Sequence, residues 1–153
     1  MREVIESWGI PDMLDGDYEY RFDGLVSNND QKHYSEETGV FCLWDKTKNR
    51  EVIVIQLWNY IGSNTSKIRG QESAKLEVLH IPFVEYRNKG IATFYMNQFT
   101  KYIIGLGTRE LRIHPNPSDG FFEGTETHLD MDKHKLQKFY QRFGTSDLLI
   151  KFI

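Results

Sequence analysis

The chain is 153 residues long, 39% hydrophobic and 14% aromatic, with 19 basic and 22 acidic residues. That length can bury a core without disulfides or metals, so a single domain over residues 1–153 is expected. A formal charge of −3 argues against a general nucleic-acid binder, which carries a basic excess, and no apolar run reaches the roughly 18–20 residues that a membrane span needs.

Charge is spread unevenly. Residues 1–60 hold 6 basic and 12 acidic side chains, and residues 61–153 hold 13 and 10. The second part suits a phosphate-bearing ligand and the first a cationic one, although unselected surface drift gives the same asymmetry. A lone cysteine, Cys42, rules out an intrachain disulfide and fits a reducing compartment. It sits in an apolar run, as a core residue would. The opening residues lack the long apolar core of a secretion signal, so the expected location is cytoplasmic.

Residues 2–8 read as a short helix stopped by Gly9-Ile10-Pro11. Tyr18 to Phe22 alternates loosely as a first strand. Ser27 to Thr38 is polar without an apolar period and reads as a loop or one short helix. Gly39–Trp44 and Glu51–Trp58 are β-branched and aromatic, joined by the polar connector Asp45–Arg50, and predict an antiparallel pair with the second strand central. Trp44, Trp58 and Tyr60 are core candidates, with lining an acceptor pocket as the alternative. Gly62 to Lys75 is a polar loop, long enough to cover a site.

Leu76 to Ile81 predicts another strand, ended near Pro82, which cannot donate to a ladder. In the following helix Ile91, Tyr95, Phe99, Tyr102 and Ile103 recur at three- and four-residue steps, and Gly105 and Gly107 stop it. Leu111 and Ile113 alternate as a strand. Pro115 to Asp130 reads as an insertion-like loop. A last helix has the face Leu136, Phe139, Tyr140 and Phe143, and Leu148–Ile153 is a terminal strand. Strands first, then strand–helix–strand–helix–strand, call for a mixed sheet covered by helices, an α+β arrangement.

The chemistry gathers at Arg87-Asn88-Lys89-Gly90-Ile91-Ala92. A strand, a turn of small residues and a helix together aim backbone N–H groups and a positive helix end at a phosphate. Gly90 and Ala92 let the backbone approach, and Arg87 and Lys89 add positive charge. The spacing is neither a P-loop nor the dinucleotide fingerprint. His114, His128 and His134 have acids nearby but no tight metal spacing, so no metal is expected.

Leu76 to Ile113 resembles the central motif of the Gcn5-related N-acetyltransferases (GNAT), and Phe139-Tyr140-Gln141-Arg142-Phe143-Gly144 resembles their C-terminal Phe-Tyr-x-x-x-Gly signature. The resemblance covers roughly residues 75–114 and 132–150. It implies a mostly antiparallel mixed sheet with a splayed strand pair and flanking helices, and an acetyl-CoA-dependent N-acetyltransferase acting on a small-molecule or protein amine. It implies that N–H groups from Arg87, Asn88, Lys89, Gly90, Ile91 and Ala92 would hold the coenzyme pyrophosphate. Leu79, His80 and Ile81 would run beside the pantetheine arm through main-chain hydrogen bonds, and their N–H groups could stabilise the oxyanion.

Tyr140 would protonate the departing thiolate; equally, it belongs to the apolar face of its helix. Glu77, by strict alternation on the face of Leu79 and Ile81, is the candidate base, with a carboxylate satisfied by a neighbouring strand as the alternative. His80 then faces the other way. The departures from the family fall on the acceptor side: Ala92 where glycine is commoner, a connector from Ile81 to Arg87 one residue long, the polar Ser27–Thr38 stretch, the long Pro115–Asp130 loop, and one strand after the last helix. A catalytically degenerate coenzyme-binding or protein-interaction module is therefore the rival, followed by a nucleotide-binding module unrelated to acyl transfer. The residues fix neither the acceptor nor an oligomeric state such as a homodimer.

Overall fold

A computed structural model describes residues 2–26, 29–59, 73–115 and 133–153. Among them are three helices, α1 (Arg2–Ser7), α2 (Ile91–Gly105) and α3 (Lys133–Gln141). The strands are β1 (Tyr18–Arg21), β2 (Leu25–Val26), β3 (Asn29–His33), β4 (Val40–Asp45), β5 (Arg50–Asn59), β6 (Ser73–His80), β7 (Glu110–Ile113) and β8 (Leu149–Phe152). Six strands form one open sheet in the order β1-β4-β5-β6-β7-β8, and β2 and β3 form a separate pair. Pairing is antiparallel from β1 to β6 and parallel for β6–β7 and β7–β8, so the sheet is mixed and the fold is α+β.

β4 is buried at every position, because the sheet is covered on both faces. Phe41 and Leu43 point to the main core with Ile53, Ile55, Leu76, Ile91, Tyr95 and Ile103, and Val40, Cys42 and Trp44 point the other way with Val54, Val78, Val26 and Tyr34. The helices supply the first layer. On the second face Val26 and Tyr34, at the ends of the β2–β3 pair, bury apolar surface that a sheet cannot leave wet. Here the structure departs from the expectation for Ser27–Thr38: part of that polar stretch is strand β3. At the corner that follows, Gly39 has φ 72°, and a Cβ built there would lie 2.0 Å from the Leu57 carbonyl oxygen, so only glycine fits.

α2 buries Ile91, Tyr95, Met96, Phe99 and Ile103, each contributing about 1.5–3 kcal/mol when fully buried. That stripe fixes the helix on β5 and β6, and therefore fixes where its N-terminus sits.

Two irregularities shape β5 and β6. Leu43 pairs with Ile53 but Trp44 with Glu51, which makes Val52 an extra residue in β5. Gln56 pairs with Val78 but Leu57 with Leu76, which makes Glu77 an extra residue in β6. Such a bulge re-aims the side chains that follow it. Accordingly Leu76 packs in the main core and Val78, two positions on, in the second. β7 pairs with β6 only from Ser73 to Leu76. From Glu77 to His80 the β7-side edge of β6 has no strand partner among the described residues. In the first parallel crossover the helix start at Ile91 follows the end of β6 through residues 81–90.

Candidate active site

The loop between β6 and α2 begins with a 3₁₀ turn at Val84–Tyr86. Its carbonyls turn inward. Tyr86 N–H donates to Phe83 O at 3.1 Å and Arg87 N–H to Val84 O at 3.0 Å. The Arg87 guanidinium donates through Nε to Ile81 O at 2.9 Å and through Nη2 to Pro82 O at 3.2 Å. Arg87 is buried, whereas Asn88, Lys89 and Gly90 are exposed. The positive charge expected of this motif is thus divided: Lys89 presents its charge to solvent, and Arg87 turns its own back onto its loop.

Past Arg87 the polarity reverses. Asn88 (φ 59°) and Gly90 (φ 85°) are left-handed, and between them they turn the chain into α2. The first helical donor with a partner is Phe94, whose N–H reaches Gly90 O at 2.9 Å. The N–H groups of Gly90, Ile91, Ala92 and Thr93 have no acceptor among the described residues, and no side chain caps the helix. Unsatisfied N–H groups at a helix start are donors to an anion. Of the N–H run expected to bind phosphate, the Arg87 member is already engaged. A Cβ at Gly90 would lie 3.6 Å from Met13 Cε, so the segment after α1 flanks the loop.

The loop is anchored to the β4–β5 turn by groups the sequence did not single out. Asp45 is buried and accepts from Tyr86 Oη at 2.6 Å and from the N–H groups of Thr47 and Lys48, both at 3.0 Å. Burial pushes the Asp45 carboxyl up, but the Tyr86 hydroxyl, the two N–H donors and the Lys48 charge outweigh it and hold the carboxyl below its usual range. Burial, followed by the Asp45 carboxylate, pushes the Tyr86 phenol up to about 12. Glu85 pairs with Lys48 and Arg50, and the Arg50 guanidinium lies over the Phe83 ring at 4.4 Å. Aspartate opening a hairpin turn is a readable signal, whereas its bond to Tyr86 is not.

Tyr140, on α3, is buried in the main core with Phe139 edge-on to it at 5.2 Å. Burial raises its phenol above the ordinary value, and its hydroxyl bonds to no described residue. The core packing expected of the helix face is therefore present in this side chain. Leu79 and His80 lie half-buried on the part of β6 that β7 does not pair, and Ile81 is buried just beyond it.

Glu77 departs from simple alternation. It pairs with Lys75 at 2.6 Å, and as the extra residue of the bulge it falls outside the alternation that puts it with Leu79 and Ile81. No protein-family model matches the chain, and comparison with curated proteins and with solved structures gives no match to either. The site is therefore interpreted from its own geometry. Cys42 takes no part in it: the residue is fully buried, and burial pushes its thiol up to about 12. His114 and His134 are exposed. His128, the Gly62–Glu72 part of the long polar loop and the rest of the Pro115–Asp130 loop after Pro115 lie outside the described residues. No helix of the described residues is long and apolar enough to cross a membrane.

Proposed function

We propose that this protein is an acetyl-CoA-dependent N-acyltransferase of GNAT-like architecture. The observation that carries the reading is the coincidence, in one β-loop-α unit, of a strand that β7 pairs only as far as Leu76 and a helix start whose N–H groups have no acceptor among the described residues. A pyrophosphate on Gly90–Thr93 would leave the pantetheine arm free to run along Leu79–Ile81. Main-chain donors and acceptors along the open edge of β6 would hold it as a further strand holds its neighbour.

In this reading a neutral primary amine attacks the thioester carbon, a tetrahedral intermediate with an oxyanion and an ammonium nitrogen forms, the nitrogen loses a proton to solvent, and the C–S bond breaks to leave the amide. The departing thiolate takes its proton from Tyr140, whose phenol is then reprotonated from solvent. Glu77 is paired with Lys75, so a base role for Glu77 would have to act through that pair.

Isothermal titration with acetyl-CoA tests the reading. Micromolar-range binding, the order expected of a substrate site, supports it, and no binding of acetyl-CoA or any other acyl-CoA refutes it. The burial of Tyr140 in the core favours one second reading, a coenzyme-binding module without catalysis. Coenzyme binding without thioester consumption across a broad amine panel would select that one.

A further inference from the structure

Four consecutive carbonyls, those of Ile81, Pro82, Phe83 and Val84, are each engaged by a donor from Tyr86 or Arg87. Arg87 supplies three of the four bonds, two from its guanidinium and one from its N–H. The next donors along the chain, from Gly90 to Thr93, have no acceptor among the described residues. The loop is thus sorted by polarity. Two of the carbonyls accept from the buried Arg87 guanidinium and two from N–H groups of the same turn, and the donors without an acceptor lie past them.

A phosphate needs that sorting. Carbonyl oxygens lining its path would repel it, and a carbonyl left without a donor in a buried loop would rotate toward any available one. A guanidinium holds two carbonyls at once because its N–H groups are fixed in a plane, whereas an ammonium is a point charge on a flexible stem.

We infer that Arg87 is a positioning residue: it captures the Ile81 and Pro82 carbonyls and so keeps them turned from an anionic ligand held by the Gly90–Thr93 donors, without itself touching the phosphates. The inference rests on the coenzyme-binding reading above and explains how the site would select the phosphorylated form of a pantetheine thioester.

The test compares Arg87→Lys and Arg87→Gln with the unaltered chain, by titration with acetyl-CoA and with acetyl-pantetheine, which carries the same thioester arm and no phosphate. Thermal unfolding run alongside shows whether each variant folds. Positioning predicts that both variants weaken acetyl-CoA binding roughly tenfold or more and leave acetyl-pantetheine binding within about twofold. Lysine recovers little, because it keeps the charge but not the fork.

Wild-type affinity in Arg87→Lys beside weak binding in Arg87→Gln would make Arg87 a charge contact and overturn the inference. Equal weakening toward both ligands would overturn it as well, by showing general damage. A wild-type chain that binds neither ligand refutes the coenzyme reading and the positioning role together. Should the variants not fold, the wild-type Arg87 Nε–H resonance decides. A slowly exchanging signal that does not move when coenzyme A is added supports positioning, and a shift of the size expected for a new phosphate contact refutes it.

Discussion

The Tyr86 hydroxyl donates a 2.6 Å hydrogen bond to the Asp45 carboxylate, across 41 positions of sequence. It ties the start of the β6–α2 loop to the β4–β5 turn. Because Thr47 and Lys48 N–H groups bind the same carboxylate, one buried charge organises both turns. The loop's shape therefore depends on a residue outside the motif that drew attention to it.

Asp45→Asn should destabilise the fold by about 1.5–3 kcal/mol at pH 7, the usual worth of hydrogen bonds to a charged group. The pH dependence carries a sign. The folded carboxyl is held below its ordinary value of 3.8, so the native state favours the charged form. That contribution is complete at neutral pH and is lost as pH falls through 3.8 toward the lower folded value. Urea unfolding at pH 7 and at about pH 3.5 should show the gap between wild type and variant narrowing in acid. A gap that stays constant would mean that Asp45 charge is not linked to folding.

Gly90 separates backbone strain from ligand approach. Its φ of 85° is left-handed, and a Cβ there would make only ordinary contact with Met13 Cε. Gly90→Ala should cost about 1–2 kcal/mol, the penalty of that conformation for an L-residue. Gly90→Asn should cost less, since asparagine tolerates the region. On the coenzyme reading both should weaken acetyl-CoA binding, because either side chain would occupy space the backbone needs for close approach. Chemical denaturation and titration, run on the same preparations, read the two effects independently.

How much of this was legible can be judged residue by residue. The α2 face was, because Ile91, Tyr95, Phe99 and Ile103 announce their period and all four are buried. The β4–β5 pair was, for its β-branched and aromatic content. β3, Asn29-Asp30-Gln31-Lys32-His33, was not, since its residues are polar and its pairing serves the second face of the sheet, a tertiary need. For Glu77 the alternation argument loses its footing, because it assumes an unbroken register and the bulge is set by which residue of β6 meets Leu57. The direction of Arg87 was beyond reach for a similar reason. Its sequence neighbours suggest a cation for phosphate, while its carbonyl partners exist only once β6 ends and the 3₁₀ turn closes.

Cys42 offers a check on the second core. It is fully buried, and burial holds its thiol at about 12, so little thiolate exists near neutrality and none is accessible. Native protein at pH 8 should react with a disulfide reagent at least about a hundredfold more slowly than the urea-unfolded chain. Rapid labelling of the native form would mean that the β2–β3 pair does not cover this face as described.

Tyr140→Phe separates core residue from proton donor. The ring packs on Phe139 in the main core, and the hydroxyl bonds to no described residue. Removing the oxygen alone therefore keeps the packing, and the stability change should stay within about 1 kcal/mol. If the phenol protonates the leaving thiolate, turnover should fall about a hundredfold or more, the usual size of a general-acid contribution. Coenzyme affinity should stay nearly unchanged, since the lost interaction exists only as charge develops on sulfur. The checks are a thermal melt, a titration with acetyl-CoA and thiol release measured with an accepted amine. Unchanged turnover with unchanged stability would retire Tyr140 as the acid and leave it a core residue.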